Sequence, residues 1–373
     1  MTPGAAPSPA ERLAWLRLAR TERVGPVAFR HLIERFGTAG QALLALPRLA
    51  QRGGSSHAPV IAPVERIAAE IEAGERLGAR LILSCEDGYP ELLAEVDPPP
   101  PVIWTLGDTA LLSRPTVAVV GARIASAAGQ RFARALAVDL GQAGYVVVSG
   151  MARGIDAAAH DGALATGTAA VLAGGVDEVY PPEHRDLYAR IAERGCVVSE
   201  REVGRKAQAR DFPRRNRLIS GLSQGVVVVE AEVRSGSLIT ARLAAEQGRD
   251  VFAVPGSPLD PRARGTNDLI RQGAVLCEGI EDVLRVLRSP LGHTVRRGAP
   301  EPAPLDDPSL DHEADALRQR IEALLSPAPI PRDELVRLTG APAAAVSGAL
   351  VELSLAGRAE LAPGGAAIAV KSV

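Results

Sequence analysis

From Thr116 onward the chain alternates short apolar runs with longer amphipathic stretches. The runs are TVAVV, YVVVS, AAVLA, CVVS, VVVVE and DVFAV, beginning at Thr116, Tyr145, Ala169, Cys196, Val226 and Asp250. Runs this short, this rich in valine and without polar alternation predict strands of a sheet covered on both faces. Between them the pattern predicts helices at roughly Ser126–Gly141, Ile155–Thr166, Glu183–Arg194 and Ser237–Gln247, then an αβα piece over Thr266–Leu287. That βα rhythm predicts an α/β fold, an extended Rossmann-like doubly wound parallel sheet, over residues 77–290.

The flanks read differently. Pro9 to about Ala73 carries helical stripes, Leu13, Leu16 and Leu18, then Val27, Leu32, Ile33 and Phe36 after Gly25-Pro26, with another helix beginning at Gln41–Leu46. An N-terminal all-α domain over residues 1–76 is expected. Gly-turn-helix patterns of this kind can grip a DNA backbone as a helix-hairpin-helix, and they also arise as plain helical packing. Between Leu81 and Asp108 two strands flank Pro98–Pro101, an extended connector because proline cannot donate to a ladder. Residues 291–312 read as a Pro-, Gly- and charge-rich linker. Residues 313–373 follow as three helical stretches and a strand-turn-strand around Pro363-Gly364-Gly365, the order of a C-terminal winged-helix domain. Its third helix, PAAAVSGALVEL, has no Lys or Arg, so partner docking or packing suits it better than DNA reading.

Charge changes the picture locally. Across 373 residues the net charge is −2, so any nucleic-acid site must be a basic patch on a near-neutral body. Of 42 cationic side chains only Lys206 and Lys371 are lysines, which makes nearly every cation a planar, bidentate donor. Cys85, Cys196 and Cys277 lie far apart without CxxC spacing, against disulfides and zinc. The first residues lack a basic segment followed by an apolar one, and no apolar run is long enough to span a bilayer, so a cytoplasmic, non-membrane protein is expected.

The candidate chemistry sits at the predicted strand ends. Arg214, Arg215, Asn216 and Arg217 stand just before a small helix or turn. Ser235-Gly236-Ser237 opens the helix after the VVVVE strand. Arginine forks and helix-start N–H groups both bind anions. Gly121-Ala122-Arg123 follows the first core strand and is not GxGxxG, so an arginine stands where a dinucleotide would press on glycine. Gly150, Arg153 and Gly154 follow the second. Asp156 and His160, four apart on the next helix, are expected to tie the loop and pack beneath it. No nucleophile, metal cluster or redox pair stands beside these residues, so no catalytic residue, metal or cofactor is expected. The site should hold a phosphate-rich ligand and not transform it. With few aromatics, a single strand would be held mainly by its phosphates.

These strings resemble the DNA processing protein A family (DprA, also called Smf). The matching residues are YPELL at Tyr89–Leu93, VAVVGAR at Val117–Arg123, SGMARGIDAAAH at Ser149–His160, VYPPEH at Val179–His184, FPRRNRLISGLS at Phe212–Ser223, VVVVEA at Val226–Ala231, SGSLITA at Ser235–Ala241, and AVPG with GTNDLI within Ala253–Ile270. The resemblance implies a sterile-alpha-motif-like N-terminal domain and a non-enzymatic recombination mediator. It implies binding of single-stranded DNA, protection of incoming strands in natural transformation, loading of the RecA recombinase past single-strand-binding protein, and a homodimer through the Rossmann-like domain. It also implies DNA contacts at Arg123, Arg214, Arg215 and Arg217. Ala122 replaces the family's usual serine, and Arg214 stands where lysine is common. The alternative is a nucleotide-hydrolysing enzyme of the related phosphoribohydrolase branch, using Asp156, His160 and Glu230, although its PGGxGTxxE signature is absent.

Overall fold

The computed structural model describes residues 7–55, 59–289, 311–362 and 365–370. Four helices come first: α1 (Pro9–Ala19), α2 (Pro26–Phe36), α3 (Ala39–Arg52) and α4 (Val64–Arg76). The hydroxyls of Ser8 and Thr38 accept the amides of Glu11 and Gln41, each at 3.2 Å, so α1 and α3 begin where a side chain can satisfy a free N–H. The predicted stripes turn inward: Leu16, Leu18, Leu32 and Leu46 are fully buried. A separate α4 is the element the sequence pattern did not single out.

The central part runs β1 (Arg80–Leu83), α5 (Glu91–Ala94), β2 (Val102–Gly107), β3 (Thr116–Val120), α6 (Ala127–Gln142), β4 (Val146–Ser149), α7 (Ile155–Ala163) and β5 (Thr168–Val171). It continues through α8 (Arg185–Arg194), β6 (Cys196–Ser199), α9 (Asp211–Gly221), β7 (Gly225–Val228), α10 (Gly236–Glu246), β8 (Asp250–Ala253), α11 (Arg264–Arg271), β9 (Val275–Leu276) and α12 (Ile280–Leu287). The nine strands form one sheet in the order β1-β2-β6-β5-β4-β3-β7-β8-β9. Strands β6 to β9 in that order are parallel, as the apolar runs predict. At one edge β2 pairs antiparallel with β6, and β1 antiparallel with β2.

The chain leaves β3 toward β4, β5 and β6 on one side, and β7, β8 and β9 lie on the other. The order reverses between β3 and β7, and in sheets of this kind ligands bind outside the carboxyl ends of the strands at such a switch point. The valines of β3, β4 and β7 are all buried, with helices on both faces.

The N-terminal helices are not a free-standing unit. They share one core with the antiparallel edge, through Trp15, Leu83 and Trp104. The Nε1 of Trp15 donates to the carbonyl of Pro101 at 2.9 Å, and Nε1 of Trp104 to Glu70 at 2.8 Å. Arg20 closes the seam, pairing with Glu70 at 2.8 Å and donating to the carbonyl of Glu200 at 3.1 Å.

The tail comprises α13 (Asp311–Leu324), β10 (Ile330–Pro331), α14 (Arg332–Thr339), α15 (Ala343–Leu355), β11 (Ala359–Leu361) and β12 (Ala366–Ala369). Its sheet has the order β10-β12-β11, the short β10 being an addition to the predicted winged helix. Residues 290–310, most of the expected linker, and the turn residues Pro363 and Gly364 lie outside the described residues. The cation-free third helix is explained by its packing. Val351 and Leu355 of α15 join the core of the N-terminal helices, and Arg23 donates to the Leu355 carbonyl at 3.2 Å. A side chain at Gly53 would collide with the backbone of Glu352, so α3 and α15 approach through a glycine. Glu352 is buried there between Arg318 and Arg35.

Among the described residues no single helix is long and apolar enough to cross a membrane. None of the three cysteines is bridged, and burial pushes the Cys196 thiol up to about 12.

Candidate nucleic-acid interface

The loop after β3 carries Gly121, Ala122 and Arg123. Arg123 is exposed, and its guanidinium carbon lies 5.5 Å from the centre of the Phe212 ring. Phe212 in turn packs against Tyr180, with ring centres 5.1 Å apart. A cation over an aromatic pair at a strand's carboxyl end can take a phosphate on one part and a base on the other. The sequence reading, which gave aromatics little weight, missed this pair. Its only signal was that Tyr180 and Phe212 each adjoin a proline at a predicted loop end.

The loop after β4 is held in an unusual backbone. Met151 has φ 60° and Gly154 φ 74°, both in the left-handed region. A β-carbon at Gly154 would press on the carbonyl of Ala122 and stand 2.8 Å from that of Arg123, so glycine lets the two loops interlock. Asp156 ties this loop as expected. Its carboxylate accepts the amides of Gly150 at 3.1 Å and Ala152 at 3.3 Å. Burial raises its pKa against the pull of Arg215 and the two amides. His160 packs beneath, its Nδ1 2.7 Å from the hydroxyl of Thr168, and burial drives its pKa down to about 3. It is a neutral imidazole sealed from the crevice. Arg153 is exposed and paired with Glu183.

The arginine cluster is the main correction. It does not precede a helix; it lies within the first turns of α9. Helical periodicity then turns its members in different directions. Arg214 points out and faces Glu360 of the tail at 3.5 Å, an exposed pair worth little. Arg215 turns inward. It is 7% exposed, and its Nη1 donates to the carbonyls of Gly150, at 2.7 Å, and Val171, lacing together the ends of β4 and β5. Burial lowers its pKa to about 10, with Asp156 opposing, so it stays cationic. Arg217, also buried, grips both oxygens of Glu200 at 2.6 Å. Asn216 donates to the carbonyl of Gly236 at 3.2 Å, fastening α9 to the start of α10. Arg215, Asn216 and Arg217 are thus engaged within the protein and are not free forks. The signal was available: Asp211, Arg215, Leu218, Ile219 and Leu222, all buried, share one face at helical spacing. Pro213 obscured it, since proline reads as a breaker yet is tolerated in a first helical turn.

Ser235 caps α10, its hydroxyl 2.7 Å from that of Ser237 and accepting the Ser237 amide at 3.4 Å. Gly236 is exposed and Ser237 buried. Arg210 and Arg234 are exposed just before α9 and α10, and neither has a salt-bridge partner among the described residues. Neither was singled out as a site residue from sequence. Among the described residues no group of three His, Cys, Asp or Glu side chains is placed to hold a metal.

Comparison with known proteins matches three stretches of the chain in turn. A family model described as DNA recombination-mediator protein A matches residues 80–288. A DprA-like N-terminal HHH domain matches residues 9–73 and a DprA winged helix domain matches residues 299–365. The chain is similar to Protein Smf of Synechocystis, 32% identical over 95% of this chain and 98% of that protein. Among solved structures it is similar to DNA processing protein A from Streptococcus pneumoniae, with a TM-score of 0.63 and 34% identity over 75% of this chain and 98% of that one. A second, from Helicobacter pylori, aligns with a TM-score of 0.52 and 30% identity over 56% of this chain and 95% of that one, and is described by its single-stranded DNA binding mode.

Proposed function

Since this chain belongs to the DNA processing protein A (DprA/Smf) family of DNA-processing proteins, we propose that it binds single-stranded DNA along the β3/β7 crevice. The observation that carries this reading is the exposed Arg123 over the Phe212–Tyr180 pair, with Arg214 two residues farther along α9. In this reading Arg123 and Arg214 meet phosphates directly, with Arg210 and Arg234 adding charge at the rim. Gly121, Gly150 and Gly154 let the backbone approach, and the Ser235–Ser237 helix start offers N–H groups. Arg153 contacts a phosphate after yielding Glu183. Arg215, Asn216 and Arg217 hold the floor in shape.

The family further supports a role in guarding incoming strands during natural transformation and in loading RecA past single-strand-binding protein. It also supports a homodimer through the Rossmann-like domain, for which β9 is our candidate: a two-residue edge strand whose Leu276 is 40% exposed. The nucleotide-hydrolysing alternative finds its candidates committed elsewhere. His160 is sealed on Thr168, Asp156 holds two amides, and Glu230 binds Ser126.

The test is binding of oligo-dT and of a duplex over a salt series. Log affinity should fall with log salt by about 0.7 per phosphate neutralised on the single strand. Arg123→Ala should weaken binding about tenfold, the loss of one charge-assisted contact. A flat salt response, or equal affinity for duplex, refutes the reading.

A further inference from the structure

Glu230 is a carboxylate in a crevice read as an anion site, two residues beyond β7, and no role yet assigned explains it. Its Oε2 accepts the amide of Ser126 at 2.9 Å, and its Oε1 the hydroxyl of Ser126 at 2.5 Å. The same hydroxyl accepts the amide of Gly129 at 2.9 Å, so Ser126 is at once the cap of α6 and the anchor for Glu230. A β-carbon at Gly129 would stand 2.6 Å from this carboxylate, so α6 carries a glycine where the acid must pass. Ser126 lies three residues after Arg123. On the other side of Arg123, the amide of Ile155 donates to the carbonyl of Ala122 at 3.3 Å. The Arg123 loop is therefore fastened at both ends, and at its far end by Glu230.

We infer that Glu230 is a positioning residue for DNA binding, holding the loop so that Arg123 stands over Phe212 in the geometry that meets the strand. The inference rests on the reading of Arg123 as a phosphate contact. Its physical content is a conflict of signs. By charge alone, a carboxylate beside a phosphate site repels the ligand, and removing it should tighten binding. By positioning, removing it frees the loop, and affinity falls by the fraction of time the loop spends out of its binding geometry.

The experiment measures oligo-dT affinity of the full chain by fluorescence anisotropy for Glu230→Ala, Glu230→Gln, Ser126→Ala, Arg123→Ala and the Arg123→Ala/Glu230→Ala double variant. Glu230→Ala is expected to bind about threefold to tenfold more weakly, the cost of a loop only partly in its competent state. Glu230→Gln keeps an acceptor for the Ser126 amide and a donor for its hydroxyl, and should restore affinity to at least the parent's. Ser126→Ala leaves the acid's charge in place yet should weaken binding, and it carries the test if Glu230→Ala does not fold. Adding Glu230→Ala to Arg123→Ala should cost nothing more. Glu230→Ala binding as tightly as the parent or more tightly overturns the inference, as do losses that simply add in the double variant. Arg123→Ala binding like the parent overturns the prior reading of the site instead.

Discussion

Replacing Arg215 with alanine is expected to unsettle the central domain more than any single contact with DNA could. The side chain is buried, donates to the carbonyls of Gly150 and Val171, and offsets the buried Asp156 carboxylate. Alanine removes two charge-assisted hydrogen bonds, opens a cavity the size of the arginine stem and leaves Asp156 without its nearest compensating cation. Asp156 then shifts further toward protonation and loosens its hold on the amides of Gly150 and Ala152. Removing one member of a buried charge network costs about 3–5 kcal/mol. For a domain of this size that corresponds to a fall of roughly 6–20 °C in Tm. Arg215→Lys should recover only part, because an ammonium cannot reproduce the planar fork. The assay is differential scanning calorimetry of parent, Arg215→Ala and Arg123→Ala, each paired with oligo-dT anisotropy below its transition. Arg123→Ala should keep its Tm and lose affinity. If Arg215→Ala keeps the parent's Tm and loses affinity all the same, the inward placement is the wrong basis, and Arg215 is itself a phosphate fork.

Deleting residues 311–373 should leave oligo-dT affinity within about twofold, since among the described residues the tail meets the site's exposed arginines through the Arg214–Glu360 pair and such exposed pairs are weak. The same deletion should lower the Tm and raise dye binding to apolar surface, because α2 and α3 lose the cover of α15; a many-fold loss of affinity with an intact Tm makes the tail a DNA reader. Stability should also fall as pH drops below about 6.5. The His160 pKa is depressed in the fold to about 3, so protons bind the unfolded chain first, at up to about 1.4 kcal/mol per pH unit in that window. Denaturant midpoints between pH 7 and 5 report this, and a His160→Gln variant with an undiminished slope refutes the assignment. Light scattering of the full chain should report a dimer, and Leu276→Arg at the β9 edge should shift it toward monomer. A parent that stays monomeric at micromolar concentration rules out the proposed edge.

The βα rhythm and the identity of the strands were legible in the sequence, as was the position of the candidate loops at strand carboxyl ends. A short run of valines suits a strand with both faces covered, whereas the strand order, and with it the reversal between β3 and β7, came only from the assembled sheet. The sequence also determined which loops carry Gly121, Gly150 and Gly154, because tight turns and close backbone approach demand glycine. It placed Asp156 and His160 as supports, since no third group stands beside them to complete a catalytic site, and the structure bears that out. Which cations remain free depends on how the helices pack. Arg214 and Arg215 are neighbours in the chain and identical in chemistry, yet each step along α9 turns a side chain by about 100°. One therefore faces solvent, and the other faces the ends of β4 and β5. The partner of α15 was likewise invisible, since a helix without cations shows that it is covered but not by what. The tether from Glu230 to Ser126 spans more than a hundred residues of chain. Local patterns fix local geometry; contacts between elements distant in sequence are fixed only when the sheet brings their ends together.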